Sequence, residues 1–249
     1  MNTRIALLDS IETLYRVFVN YSAEDMFGCP HCVTAEHIQR TQAKPLRELT
    51  GEDLSHYAFN AITTMGTEDN FRFFLPRLLE LFALEGGIGR YDAEPVIGKL
   101  PYTHWERWDR IEREAIMNFF HALLREVFEK EFIIEMGSDK SLRNQWESLG
   151  WAIYEPLTII ERAEIDLVPF LTEWLESTSP FAVYRLAAFL LNDDLIYKDD
   201  APGYDLPIIN WLKSDPVYRY LETYLFTHSD APFRDKLTEA IAHLCAVRA

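Results

Sequence analysis

The sequence predicts an all-α protein, and three observations carry that prediction. Apolar residues recur at three- and four-residue steps along most of the 249 residues. Helix start and stop signals bracket those stripes, with Thr or Ser ahead of an acidic turn and Gly behind an apolar run. No stretch shows the period of two that marks a half-buried strand.

The elements follow in order. Ile5, Leu8, Ile11, Leu14, Tyr15, Phe18 and Val19 form the stripe of a first helix over 4–19. Residues 21–33 break the period with Gly28 and Pro30, which predicts a loop feeding a short helix near Thr34. Thr50-Gly-Glu-Asp53 reads as an N-cap with a carboxylate at the third helical position, and Leu54, Tyr57, Ala58 and Ile62 carry that helix toward Gly66. Thr67-Glu-Asp-Asn70 caps another, running through Phe71, Phe74, Leu75, Leu78, Leu79 and Phe82 to Gly86-Gly87, with a break or kink expected near Pro76. Glycines and prolines gather over 85–103, the one candidate sub-boundary in what otherwise reads as a single helical domain, 1–249. A long helix is expected from Thr103 to Ile134, with Trp105 and Trp108 on its stripe. Shorter helices follow, Pro156, Pro169, Pro180, Pro207 and Pro216 marking starts or kinks. The six tryptophans are expected to fill core stripes, and Cys245 to join an apolar face.

An internal echo bears on architecture. Leu167-Val-Pro-Phe-Leu-Thr-Glu-Trp-Leu175 is answered by Asp205-Leu-Pro-Ile-Ile-Asn-Trp-Leu212, and each is followed by a second Pro-started helix, roughly 36 to 38 residues apart. The expected fold is therefore a multi-helix array, with an α-solenoid of HEAT-like helix pairs and an irregular helical bundle as the two alternatives.

Charge narrows the partners. Hydrophobic residues are 48% and aromatics 14%, enough for a core, while 24 Lys and Arg face 40 Asp and Glu for a net charge of -16. Such a field repels phosphate backbones and anionic lipids, so neither nucleic acid nor a membrane surface is an expected partner, and a basic protein is. No window approaches the roughly 18 consecutive apolar residues of a membrane span. Asp9 and Glu12 interrupt the N-terminus before a signal-peptide core develops, and three cysteines fit a reducing compartment, so a cytoplasmic location is expected.

The strongest local motif is Cys29-Pro-His-Cys32. Two thiolates at this spacing can take two corners of a zinc tetrahedron, and His37 and His56 are the nearest residues able to supply the others. The same tetrapeptide occurs in disulfide oxidases of the thioredoxin fold, but that chemistry needs a strand before the motif and a helix opening on it, and residues 20–27 do not read as a strand. The third reading places both cysteines in a turn as small structural residues. On its own, His56 reads as a solvent-facing or interhelical residue, and Asp53 as part of the cap.

Cys29-Pro-His-Cys32, Lys44-Pro-Leu-Arg-Glu-Leu-Thr50, Asp53-Leu-Ser-His-Tyr-Ala58 and Phe71-Arg-Phe-Phe-Leu-Pro-Arg-Leu-Leu-Glu-Leu81 together resemble a family of uncharacterised bacterial proteins. The resemblance covers the first third of the chain. It implies a bacterial source and a helical fold, and carries no activity.

Residues 192–205 collect five aspartates around apolar and tyrosine side chains without the ordering of a calcium loop. Asp193, Asp194, Asp199 and Asp200 are the candidate contacts to a basic partner, against the alternative of a solvated connection. No HExxH, phosphate loop or GxSxG occurs. The expected function is a non-enzymatic protein-binding scaffold with an acidic surface, one form of which is an immunity-type inhibitor of a basic protein. The alternative is a metal-dependent or thiol enzyme centred on Cys29 and Cys32.

Overall fold

Side-chain caps set out the N-terminal helices in the computed structural model, which describes residues 2–88, 97–134, 139–192 and 206–248. Helix α1 (Thr3–Val17) starts on Asn2, whose carboxamide oxygen accepts from Arg4 N–H at 2.9 Å. Helices α2 (Ala35–Gln42), α3 (Gly51–Asn60) and α4 (Glu68–Glu85) start on Thr34, Thr50 and Thr67, each in a reciprocal capping box. Gly86, at φ 75°, closes α4 in the left-handed conformation that a glycine adopts without penalty.

Two expectations here need correction. Helix α3 ends before Ile62, which takes φ 66° while its N–H bonds the Met65 carbonyl in a tight reversal. Pro76 lies inside α4 without ending it, because Phe74, Leu75, Leu78 and Leu79, each at most 1% exposed, fix both sides of the missing hydrogen bond against α1 and α3.

The expected helix from Thr103 is also shorter. Two 3₁₀ turns, Pro101–Thr103 and Trp105–Arg107, precede α5 (Arg110–Glu129), interrupted by His104 at φ 49° and by extended Trp108. Asp109 then opens α5, its N–H held at 3.2 Å by the Glu112 carboxylate. In α6 (Asp139–Arg162) Pro156 again lies within a continuous helix. The chain continues through α7 (Val168–Glu176), α8 (Pro180–Leu190), α9 (Leu206–Leu212), α10 (Asp215–Thr227) and α11 (Arg234–Arg248). Among the described residues there is no strand beyond isolated bridges, so the fold is all-α. None of the described helices is long and apolar enough to cross a membrane.

The chain forms two compact units, one of Met1–Leu123 with Ile159–Ile165, the other of Leu124–Thr158 with Asp166–Ala249. The Gly- and Pro-rich stretch 85–103 falls within the first, its residues 89–96 lying outside the described ones. In the second unit Trp174, 1% exposed, stacks on Phe128 at 3.9 Å between ring centroids and donates its indole N–H to the Ala182 carbonyl. It also stacks on Trp211 at 6.1 Å, so the two echoing segments, α7 and α9, meet through their matching tryptophans. Not every tryptophan is core: Trp151 is 49% exposed, because the neighbouring Gly150 is what α6 turns toward the Ala188 carbonyl, 3.1 Å from where a Cβ would stand. Cys245 is exposed rather than packed on an apolar face.

Candidate functional site

The Cys29-Pro-His-Cys32 segment is a tight turn anchored on a short antiparallel pairing. Cys29 N–H bonds the Thr64 carbonyl at 2.7 Å and Gly66 N–H bonds the Phe27 carbonyl at 2.8 Å, flanking the Gly28–Met65 bridge. Gly28 is required by close approach, since a Cβ there would lie 2.5 Å from the Val33 side chain. The Cys29 carbonyl accepts from both Cys32 and Val33 N–H, at 3.0 and 2.8 Å, with Pro30 in the turn position its fixed φ favours. Thr34 then caps α2, two residues beyond the motif.

This turn makes the two thiols unequal. The backbone N–H of His31 points at the Cys29 sulfur and, with the Cys32 thiol and the Cys32 N–H, draws its pKa below the ordinary thiol value. Cys32 goes the other way, because it donates its proton to Cys29 and faces the charge that forms there. Both cysteines are free, Cys29 partly buried and Cys32 exposed. Two thiols held two residues apart in one turn suit a metal-bound thiolate pair.

The histidines gather next to it. His37 on α2 and His56 on α3 stack with ring centroids 3.5 Å apart, where these two helices pack together. Burial lowers the His56 pKa first, and the His37 ring and Arg40 add to that, while a hydrogen bond to the Cys32 backbone works against it. His37 Nδ1 accepts the Thr34 N–H at 3.2 Å as part of the α2 capping box. The His56 Nε2 lies 3.4 Å from the Asn60 amide nitrogen. A pocket of about 330 Å³ opens over the pair, lined also by Glu36, Arg40, Phe59 and Asn60.

The structure thus brings Cys29 to Cys32 and His37 to His56. It does not converge them on one point: no three His, Cys, Asp or Glu side chains among the described residues are placed to hold a metal ion. Nor does the turn have the setting of a thioredoxin-type dithiol, since no strand leads into it and α2 begins beyond it. The aspartates Asp193, Asp194, Asp199 and Asp200 lie outside the described residues.

Sequence reasoning missed one polar cluster entirely. Tyr21 donates to the Glu112 carboxylate, Arg72 Nη1 donates to the Tyr21 hydroxyl at 2.7 Å, and the same guanidinium lies 4.3 Å from the Trp108 ring centroid. Glu112 is only 5% exposed, yet on sequence it is one more acidic residue of an amphipathic helix. The cluster fastens the segment after α1 to α4 and α5. Comparison with protein-family models, with curated proteins and with solved structures returns no match for this chain.

Proposed function

We propose that the chain is a zinc-binding, non-enzymatic helical protein in which Cys29 and Cys32 supply two sulfur ligands and His56 and His37 the nitrogen ligands. The observation that supports this reading is the Cys29–Cys32 turn itself, closed by the Cys29 carbonyl, with the stacked His37 and His56 rings on the helices that follow it. His56 is the better-placed nitrogen donor. His37 must release the Thr34 N–H before its Nδ1 can ligate, so it is the last ligand to join. Zinc here would staple the 21–33 segment to α2 and α3, adding stability to that part of the first unit. Protein purified without chelator is expected to carry about one zinc per chain, absent from the Cys29→Ser, Cys32→Ser variant and weakened more by His56→Ala than by His37→Ala. Metal-free protein whose melting temperature ignores added zinc would reject the site.

Charge supports a second reading, of what the scaffold does. A net charge of -16 favours association with a basic protein through long-range steering, and an immunity-type inhibitor is one protein of that kind. Replacing Asp193, Asp194, Asp199 and Asp200 with Asn, or raising salt, is expected to slow association with a cognate partner more than it speeds dissociation. A partner whose association rate responds to neither would reject it.

A further inference from the structure

The second unit holds a cavity of about 310 Å³, walled by α6, the end of α8 and α11. Its volume is at the small end of the roughly 300–1,000 Å³ of small-molecule sites. Gly150 lets α6 pass close to the end of α8 here, since a Cβ would stand 3.1 Å from the Ala188 carbonyl and 3.2 Å from Asn192 Nδ2.

Two of the lining side chains are more than nine-tenths buried and carry unmatched polar groups. Asn192 is 4% exposed, and its Nδ2 makes one long bond, 3.4 Å, to the Glu147 carbonyl. Its Oδ1 has no hydrogen-bond partner among the described residues. Trp146 is 6% exposed, stands edge-on to Phe233, and its indole N–H likewise has no acceptor among the described residues. Trp174, buried in the same unit, donates its own indole N–H to the Ala182 carbonyl. Polar groups withdrawn from bulk water are normally paired, so an acceptor and a donor left open on one cavity point to an occupant that pairs with both.

The charges of the walls select its class. Lys236 and Glu239 on α11 neutralise each other at 2.7 Å. Arg143 and Glu147 on α6 are exposed and four residues apart, the spacing at which a helix brings two side chains together. They nevertheless form no ion pair with each other or with any other described residue. The cavity thus offers one open cation and one open carboxylate beside the apolar side chains of Ala188 and Leu191. An anion would leave Glu147 unmatched and a cation would leave Arg143 unmatched, whereas a ligand with one charge of each sign matches both.

We propose that this cavity binds a free α-amino acid with an aliphatic side chain. The ligand's carboxylate pairs with Arg143 and accepts the Trp146 N–H, its ammonium pairs with Glu147 and donates to Asn192 Oδ1, and its side chain lies on Ala188 and Leu191. The site requires neither zinc nor a protein partner, so it stands or falls separately from the readings above.

The test is NMR titration of the full chain, isotope-labelled at its tryptophan indole nitrogens, the Trp146 resonance being the one lost in Trp146→Phe. The probes are L-leucine, isoamylamine and isocaproate, the last two being leucine without its carboxylate and without its ammonium. L-Leucine is expected to shift the Trp146 resonance saturably with a Kd below about 1 mM, and each half-ligand to bind at least about tenfold more weakly. Arg143→Gln and Glu147→Gln, at exposed positions that leave the fold intact, are each expected to weaken L-leucine about fivefold or more. A Kd for L-leucine above about 1 mM, or a Trp146 resonance that does not move, would overturn the proposal. So would a half-ligand that binds as tightly as L-leucine, or an affinity indifferent to both Arg143→Gln and Glu147→Gln.

Discussion

The helices of the two units begin in different ways. In the first unit α1 to α4 each start on a side chain, Asn2, Thr34, Thr50 or Thr67, that accepts an otherwise unpaired N–H of the first turn. In the second unit α7, α8 and α10 start with a proline in the first two positions, and the residue at their N-cap makes no side-chain hydrogen bond. Proline removes one N–H that would need a partner and presets the helical φ, so it begins a helix by restricting the chain instead of by bonding it. The first solution depends on polar geometry and, at Asp53, on charge. The second depends on neither, and its helices are held by what they bury, such as Trp174 and Phe189.

That difference predicts an asymmetric response to the same substitution. Thr50→Ala and Thr67→Ala should each cost about 1 kcal/mol, because each leaves the Asp53 or Asn70 N–H without its hydroxyl acceptor while the backbone N–H of the cap residue keeps its own bond to the Asp53 or Asn70 side chain. Ser179→Ala and Ser214→Ala, at the equivalent positions of α8 and α10, should stay within about 0.5 kcal/mol, since no capping bond is lost. Urea unfolding of the four variants under one set of conditions compares them directly. Equal losses in the two groups would show that the caps contribute nothing beyond local sequence preference.

The same contrast explains what could be read from the chain alone. The boxes at Thr50 and Thr67 join residues three positions apart and involve only their own helix, so sequence spacing was sufficient to place them. Gly86 was legible for the same reason. Pro76 and Pro156 lie inside continuous helices, a break or a start at neither, because whether an interior proline interrupts a helix depends on packing by residues distant in sequence. His37 and His56 were picked out as nearby histidines, but their stacking arises only when α2 packs on α3. The cavity at Asn192 is assembled from α6, the end of α8 and α11, and no spacing rule connects their residues. Helix termini are local solutions and therefore visible in sequence, whereas the candidate sites are products of packing.

The smallest expected effect is also the sharpest test of the comparison, because it depends on the one ionised cap. Asp53 Oδ2 accepts from Thr50 N–H, Thr50 hydroxyl and Lys44 ammonium at 2.9, 2.8 and 2.7 Å. Burial opposes its charge, but the Lys44 ammonium and the two Thr50 donors outweigh burial and hold its carboxyl down to about 2. An unfolded Asp titrates near 3.9, so the folded state binds the proton less readily than the unfolded one. The stabilisation is therefore complete above about pH 4 and is lost as pH falls through the folded value near 2. Asp53→Asn removes the charge at every pH. The gap between wild type and variant should be about 0.5 kcal/mol at pH 7 for this solvent-screened group and should close as the pH falls from 4 toward 2. Melting temperatures of the two proteins across that range measure the gap. If it keeps its neutral-pH size down to the acid end, then Asp53 acts at the start of α3 through hydrogen-bond geometry alone, and charge does not distinguish the two ways of beginning a helix.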